Sequence, residues 1–341
     1  MRKRLFRAFD DVLDKTVVLS YTRLGYSLRQ AAWKHTDLDV DMTGQVCLVT
    51  GASSGLGRVT AEALARLGAT VHMLVRSDSK GSWVREGIVR RTGNENVHLA
   101  HADLSSLNSV RTFAKRFRER QSRLDVLINN AGALLADRGT SVDGFELSFA
   151  TNLLGPFLLT NLLIPLLEAS APSRIINVSS GGMYTQKLDV ADLQYEHKPY
   201  NGVTAYAQAK RAQVILTELW AQKLAGSGVT VNAMHPGWAD TPGVQSSLPT
   251  FRRWSQNSLR TPEQGADTIV WLAVAESVTG ISGRFWFDRR ERGTHLLRGT
   301  RSSAEDRERL WEECVRLTGS SLSGPEPKSL PLASLSEEQA E

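Results

Sequence analysis

A chain of 341 residues with 41% hydrophobic content carries enough apolar material for one large α/β core. Its formal net charge of +5 and pI of about 9.3 would admit a nucleic-acid partner, but the basic residues are not organised into a recognisable reader, and nucleic acid is excluded. The two cysteines, Cys47 and Cys314, make neither a metal-ligand cluster nor a disulfide framework, which points to a reducing, cytoplasmic setting and to no metal.

The first 36 residues hold eight basic side chains (Arg2, Lys3, Arg4, Arg7, Lys15, Arg23, Arg29, Lys34) against Asp10, Asp11 and Asp14, a surplus as large as that of the whole chain. Phe6, Phe9, Val12, Leu13, Val17 and Leu24 recur at roughly helical spacing, the pattern of a basic amphipathic helix. Two uses fit: peripheral contact of residues 1–36 with an anionic membrane, or packing on the parent domain. The three aspartates speak against a transit peptide, which avoids acids. No apolar run approaches the ~20 residues that span a bilayer, and no secretory signal is visible.

Gln45-Val46-Cys47-Leu48-Val49-Thr50 reads as a short buried strand running into Gly51-Ala52-Ser53-Ser54-Gly55-Leu56-Gly57. A helical stretch over 58–67, ended by Gly68, leads to a second strand at 70–75. Strand, glycine turn, helix, strand is the unit that sets a pyrophosphate on a helix N-terminus, where free N–H groups and the dipole favour anions. Gly51, Gly55 and Gly57 allow the tight turn and close approach of backbone to phosphate, although in isolation the run would read as a surface loop. After the second strand, Arg76 stands where an NAD-binding fold carries Asp or Glu for the ribose 2′-OH. A guanidinium there pairs with a 2′-phosphate, so NADP(H) is the expected cofactor, with Arg58 and Lys80 as helpers or plain surface charges. Asp78 comes slightly late for the carboxylate's role.

A third strand at 96–101 precedes Asp103-Leu104-Ser105-Ser106, by itself a helix cap, and a fourth at 124–128 closes on Asn129-Asn130-Ala131-Gly132, by itself a turn. Thr151-Asn152-Leu153-Leu154-Gly155 opens a long apolar helix, with Asn152 a capping candidate. A fifth strand from Arg174 ends in Ser179-Ser180. In Tyr206-Ala207-Gln208-Ala209-Lys210 a phenol and an ammonium lie one helical turn apart, and a cation beside a phenol pulls its pKa of about 10 towards the working range of an acid/base group. The sixth strand, 229–234, runs into His235-Pro236-Gly237-Trp238-Ala239-Asp240-Thr241, where His235 reads as structural. Residues 238–261, with Trp238, Val244, Leu248, Phe251 and Trp254, suggest a mobile cover over an apolar substrate, or an apolar face for a helix or membrane. A seventh strand at 281–287, a polar linker and a helix capped at Ser303 follow, its stripe formed by Leu310, Trp311, Cys314, Val315 and Leu317. From Ser320 the Ser/Pro/Glu-rich tail is expected to be disordered.

Together, the spacing from Thr50 through Gly51, Gly55 and Gly57, the Asn129-Asn130-Ala131-Gly132 run, Ser180, Tyr206 and Lys210 resemble the short-chain dehydrogenase/reductase family, over residues 43–288. The resemblance implies a doubly wound parallel sheet (Rossmann fold) of about seven strands in a single domain, with helical extensions at 1–42 and 289–319 and a tail at 320–341. It implies a catalytic set of Asn152, Ser180 (Ser179 as fallback), Tyr206 and Lys210. Asn152 would hold a water linking Lys210 to solvent, Ser180 would orient the substrate oxygen, and Lys210 would lower the Tyr206 pKa. The implied cofactor-binding set is Gly51, Ser53, Ser54, Gly55, Leu56, Gly57, Arg76, Asp103, Leu104, Asn130, Ala131, Gly132, Tyr206, Lys210, Pro236, Gly237 and Thr241. The implied activity is NADP(H)-dependent interconversion of a carbonyl and an alcohol on a small apolar or lipid-like substrate. A non-catalytic NADP-binding sensor or scaffold is the alternative, and the complete acid/base set favours the enzyme. The family also implies a homo-oligomer through the helices around 152–167 and 206–224.

Overall fold

The computed structural model describes residues 10–14, 16–296 and 298–322. Helices α1 (Val17–Tyr21) and α2 (Arg23–Gln30) precede β1 (Val46–Thr50), α3 (Gly55–Arg66), β2 (Thr70–Val75), α4 (Asp78–Thr92), β3 (Val97–His101), α5 (Leu107–Arg120) and β4 (Val126–Asn129). Then come α6 (Gly155–Ala169), β5 (Ser173–Val178), α7 (Gly202–Lys223), β6 (Val229–Met234), the short α8 (Pro242–Ser247) and α9 (Pro249–Ser255), and α10 (Pro262–Val274). Strands β7 (Phe285–Phe287) and β8 (Arg290–Arg292) and helix α11 (Ala304–Thr318) complete the chain.

The sheet runs β3-β2-β1-β4-β5-β6-β7-β8, and every pairing is parallel except that of β7 with β8. Successive residues of the central strands point to opposite faces. Leu48, Leu127 and Ile175 face α5, α6 and α7, whereas Cys47, Val49, Ile128 and Ile176 face α3, α4 and α10. The strand order reverses at β1, which lies between β2 and β4, and this opens a crevice at the carboxyl ends of β1 and β4.

Most expected strands match within two residues, and the differences have local causes. Strand β8 stands where the sequence suggests a polar linker; Asp288 and Arg289, with φ of 50° and 56°, turn the chain back onto β7. The apolar helix begins at Leu147, not Thr151, and Glu146 caps it by accepting from Ser148 N at 2.7 Å and Phe149 N at 2.6 Å. The continuous run Leu147–Ala169 is then 23 residues, long and apolar enough to cross a membrane by length and composition, contrary to the expectation that no such run exists. Most of it is buried inside the domain, as in the core helix of an α/β fold. Ser320, expected in the disordered tail, is buried and accepts from Asn161 Nδ2 at 3.3 Å, while residues 323–341 lie outside the described residues.

The N-terminal helices lie on the domain with a polar face inward. Asp10, Ser20, Tyr21, Tyr26 and Arg29 are buried; of the expected apolar stripe Leu13 is buried with them, while Val12, Val17 and Leu24 face outward, and Phe6 and Phe9 lie outside the described residues. The reason is ionic. Arg29 binds Asp10 at 2.5 Å and Asp288 at 2.8 Å, Arg260 binds Asp288 at 2.6 Å, and Arg292 binds Asp10 at 2.9 Å. Burial alone would raise the Asp10 carboxyl, yet hydrogen bonds from Arg29 and Arg290 hold it at about 2.

At the other end, α11 lays Trp311 against Phe157 of α6 (centroids 5.1 Å apart) and Trp220 of α7 (5.9 Å), with Leu310 and Cys314 fully buried beside them. An assembly through the outer faces of α6 and α7 would have to share them with α11. Trp311→Ala is expected to cost about 3 kcal/mol, read as a lower urea midpoint with the native fold retained; a midpoint within experimental error of the parent's would mean that α11 is not part of the core.

Candidate active site

The glycine turn fills the crevice between β1 and β4, and contact there is too close for side chains. At Gly57 a Cβ would sit 2.4 Å from Asn130 Nδ2 and 2.5 Å from Gly51 O; at Gly51, with φ of +67°, it would sit 2.9 Å from Ala131 Cα. Thr50 ties the two strands together. Its Oγ1 accepts from Asn130 N and Ala131 N, each at 2.9 Å, and its carbonyl accepts from Asn130 Nδ2 at 2.8 Å. Helix α3 starts at Gly55, three residues earlier than expected, and Ser54 at its N-cap does not spend its hydroxyl on the helix. Ser53, Ser54, Gly55 and Leu56 are partly exposed along this turn, so the residues present fit a pyrophosphate on a helix N-terminus.

Arg76 is exposed at the end of β2 and has no hydrogen-bond or ion-pair partner among the described residues. Of the other candidates there, Lys80 is likewise exposed and without a partner among the described residues, while Asp78 and Arg58 are engaged. Asp78 meets His101 Nδ1 at 3.0 Å, and Arg58 pairs with Glu62 at 3.1 Å and Glu263 at 3.7 Å. Asp103 Oδ1 accepts from Ser105 N and Oγ at 2.9 and 2.7 Å, shaping the turn before the Ser106 cap of α5. Leu104 is a core side chain, its carbonyl packed against Gly155. Pro236, Gly237 and Thr241 follow β6; a Cβ at Gly55 would lie 3.3 Å from Thr241 Cβ, so this loop meets the glycine turn from the opposite side.

The four expected acid/base residues converge past the carboxyl ends of β4 and β5. Asn152 caps nothing: it is fully buried in a π-helical turn, Ala150–Leu154, a widening of the helix that is frequent at functional sites. Its Nδ2 donates to Ala133 O at 2.7 Å and Ser148 O at 2.9 Å, and its Oδ1 accepts from Ala133 N at 2.9 Å. A Cβ at Gly132 would lie 2.9 Å from Asn152 Oδ1 and 3.4 Å from Lys210 Nζ, so both groups flank that glycine. Ser179 is removed as a fallback, because its buried hydroxyl donates to Lys210 O at 3.0 Å. Ser180 is partly exposed, accepts from Gly182 N at 3.2 Å and is near enough to the Tyr206 phenol to favour its ionised form.

The electrostatics differ from the expectation. Burial pushes the Tyr206 phenol up to about 12 against the nearby Ser180 hydroxyl, and burial pushes the Lys210 ammonium down to about 7. Lys210 Nζ is 5.6 Å from the Tyr206 ring centroid and donates instead to Val178 O at 2.8 Å and Gln213 Oε1 at 3.3 Å. In the chain by itself desolvation therefore outweighs the cation. Sequence reasoning missed Gln213, although its place three residues after Lys210 puts it on the same helical face. It also missed the buried chain in which Asn177 receives a bond from Asn129 at 2.8 Å and donates to Thr217 at 2.8 Å. The surface hollow of ≈ 820 Å³ lined by Arg123, Asp125 and Arg174 lies at the opposite ends of the strands, and those three charges are already bonded to Asp125, Val46 and carbonyls of the α10 end.

The family profile described as short chain dehydrogenase matches residues 45–250. This chain belongs to the short-chain dehydrogenase family. It is 44% identical to human dehydrogenase/reductase SDR family member 12 over 83% of this chain and 89% of that protein. It is 40% identical to human retinol dehydrogenase 13 over 85% and 88%. A short chain dehydrogenase from Escherichia coli, solved in complex with NADPH, superposes with a TM-score of 0.60 at 26% identity, covering 75% of this chain and all of the other. As a member of the short-chain dehydrogenase family with retinol dehydrogenases among its relatives, the chain is an NAD(P)-dependent oxidoreductase acting on alcohol or carbonyl groups.

The buried ammonium makes a pH prediction. Lys210 holds its proton to 10.5 when exposed and releases it near 7 when folded. Between those values the unfolded chain binds the extra proton, so the contribution of this site to stability rises with pH through that window and is least favourable below pH 7. Lys210→Met is expected to raise the urea midpoint of the cofactor-free protein at pH 6 and to lose most of that gain by pH 10. A stability difference that does not change with pH would contradict a desolvated ammonium.

Proposed function

We propose that the protein reduces carbonyls, and oxidises the corresponding alcohols, with NADP(H), using Tyr206 as the acid/base group on an apolar substrate. The observation that carries this reading is the convergence of Ser180, Tyr206 and Asn152 on the buried Lys210, whose Nζ lies 5.6 Å from the Tyr206 ring centroid and beside Asn152 at Gly132. The bound nicotinamide would supply hydride. Everything else falls to side chains: Ser180 fixes and polarises the substrate oxygen, and Tyr206, protonated at neutral pH, gives it a proton. Lys210 and Asn152 hold the floor of the site around Gly132. The preference for a 2′-phosphate is supported by Arg76, exposed and without a partner among the described residues, and by the engagement of Asp78 with His101, and NADPH in the E. coli relative agrees with it. The name retinol dehydrogenase, given to relatives, supports an apolar alcohol or aldehyde, as do Trp238 and Phe251, which meet edge to face at 5.1 Å at the start of the covering segment. A sensor without turnover would need neither the serine nor the tyrosine.

We propose further that an anionic lipid surface meets the outer face of the N-terminal helices. Val12, Val18, Leu19, Leu24 and Leu28 are exposed there beside Arg23, and Trp254 of α9 stands 83% exposed four residues before Ser258, whose carbonyl accepts from Arg23 N.

Two measurements test these readings. Over a panel of aldehydes, retinoids, steroids and quinones, NADPH should be consumed in preference to NADH; Tyr206→Phe should lose on the order of 10³-fold in kcat, and Arg76→Glu should shift the preference towards NADH. Tight NADPH binding with no turnover across the panel would favour the sensor. Flotation with anionic liposomes should retain the protein and release a Val18→Glu/Leu24→Glu variant; equal flotation of the two would sink the lipid proposal, and such point changes leave the Arg29 cluster intact where deletion of 1–36 would not.

A further inference from the structure

The corner between α1 and α2 reaches the proposed active site. Tyr21 is buried with its ring 4.6 Å from that of His235, 5.1 Å from Phe287 and 6.0 Å from Trp238. Its edge also presses on the turn Gly181–Thr185, which begins directly after Ser180. A Cβ at Gly181 would sit 2.5 Å from Tyr21 Cε2 and 3.2 Å from Cζ. Gly181 does not have a positive φ, so its lack of a side chain answers to this contact and not to backbone strain.

The backbone of the same corner holds both ends of the covering segment. At its start, Trp238 N donates to Tyr21 O at 2.9 Å. At its end, Arg23 N donates to Ser258 O at 2.8 Å, and the buried Arg260 guanidinium donates to Ser20 O at 2.9 Å, Tyr21 O at 3.0 Å and Thr22 O at 3.2 Å. The two ends also close on each other, with Arg260 N donating to Trp238 O at 2.8 Å and Asp240 N to Arg260 O at 2.9 Å. Asp288 completes the fixation of Arg260 from the end of β7. One short piece of the N-terminal extension therefore touches the turn that carries Ser180 and the base of the segment over the substrate.

We infer that residues 20–23 are a positioning element of the active site, with the Tyr21 ring setting the Ser180 turn and the corner's carbonyls anchoring the cover. The inference rests on the proposed roles of Ser180 and of residues 238–261. Misplacement of a reacting group by about 1 Å costs on the order of 10²-fold in rate, so loss of the ring should appear in kcat more than in cofactor affinity. The Tyr21 hydroxyl has no part in the inference.

The test uses four full-length variants, Tyr21→Phe, Tyr21→Ala, Gly181→Ala and the Tyr21→Ala/Gly181→Ala pair, each assayed well below its own melting temperature. Tyr21→Phe should match the parent. Tyr21→Ala and Gly181→Ala should each lose roughly tenfold or more in kcat, with the NADPH Kd within a factor of about three. The double variant should recover part of the Gly181→Ala loss, because the new methyl enters space the ring has left. Deuterium uptake in Tyr21→Ala should rise in 181–186 and 238–260 and stay at the parent's level in β1, β2 and β3. Parental kcat together with unchanged uptake in those two segments would overturn the inference and leave the corner as fold support only. A parent protein that turns over no substrate would defeat the oxidoreductase reading instead, and the uptake pattern would still decide the positioning of both segments. If Tyr21→Ala does not fold, Tyr21→Leu takes its place in the same cycle.

Discussion

Everything at the proposed site depends on the joint between the carboxyl ends of β1 and β4. Thr50 spends its hydroxyl and its carbonyl on Asn130 and Ala131, which draws the two strand ends together at the point where the sheet order reverses. With that distance fixed, the turn after β1 can only be glycine, because Gly51 and Gly57 are pressed against Ala131 and Asn130. The same joint places Gly132 one step further along, where a Cβ would meet both Asn152 Oδ1 and Lys210 Nζ. The phosphate cradle and the acid/base floor are thus two faces of one tight contact, and neither can be enlarged without moving the other.

The parts legible in the sequence were those written in short-range chemistry. The strand, glycine turn, helix and strand from Val46 to Val75 have their period and punctuation in consecutive residues, and β1 and β2 announce themselves by apolar runs. Tyr206 and Lys210 share a face because helical spacing requires it. The unread parts depend on partners distant in the chain. Strand β8 is charged at all three positions and looks like linker; its arginines are called in by Asp10 and Asp11, about 280 residues away. The π-helical turn at Asn152 has no propensity signal, since it answers to Ala133 on a neighbouring loop.

The N-terminal extension shows how periodicity can mislead when charge decides. Its apolar residues suggest an inward stripe, but an Arg29 paired with Asp10 and Asp288, and stacked 4.9 Å over Phe287, specifies the opposite face. A buried ion cluster of this kind gives little net stability, since desolvation offsets most of the attraction. Breaking one partner is another matter, because the remaining charges would be stranded. Such a cluster fixes register more than it adds stability, and here the register it fixes is that of residues 20–23 over the Gly181 turn and the cover.

Desolvation sets the chemistry of the site as well as its shape. The phenol and the ammonium are both pushed towards their neutral forms, Tyr206 by holding its proton and Lys210 by releasing one. A phenol that keeps its proton at neutral pH is a ready donor to a developing alkoxide and a poor acceptor from an alcohol. For the proposed reaction, the resting chain is therefore poised for reduction, and oxidation requires a change that favours the phenolate. The Ser180 hydroxyl already acts in that direction, and Lys210 would add to it only by carrying its charge closer than its present bonds to Val178 and Gln213 allow. How readily Tyr206 gives up its proton thus depends on how firmly Gln213 and Val178 hold that ammonium away from the tyrosine.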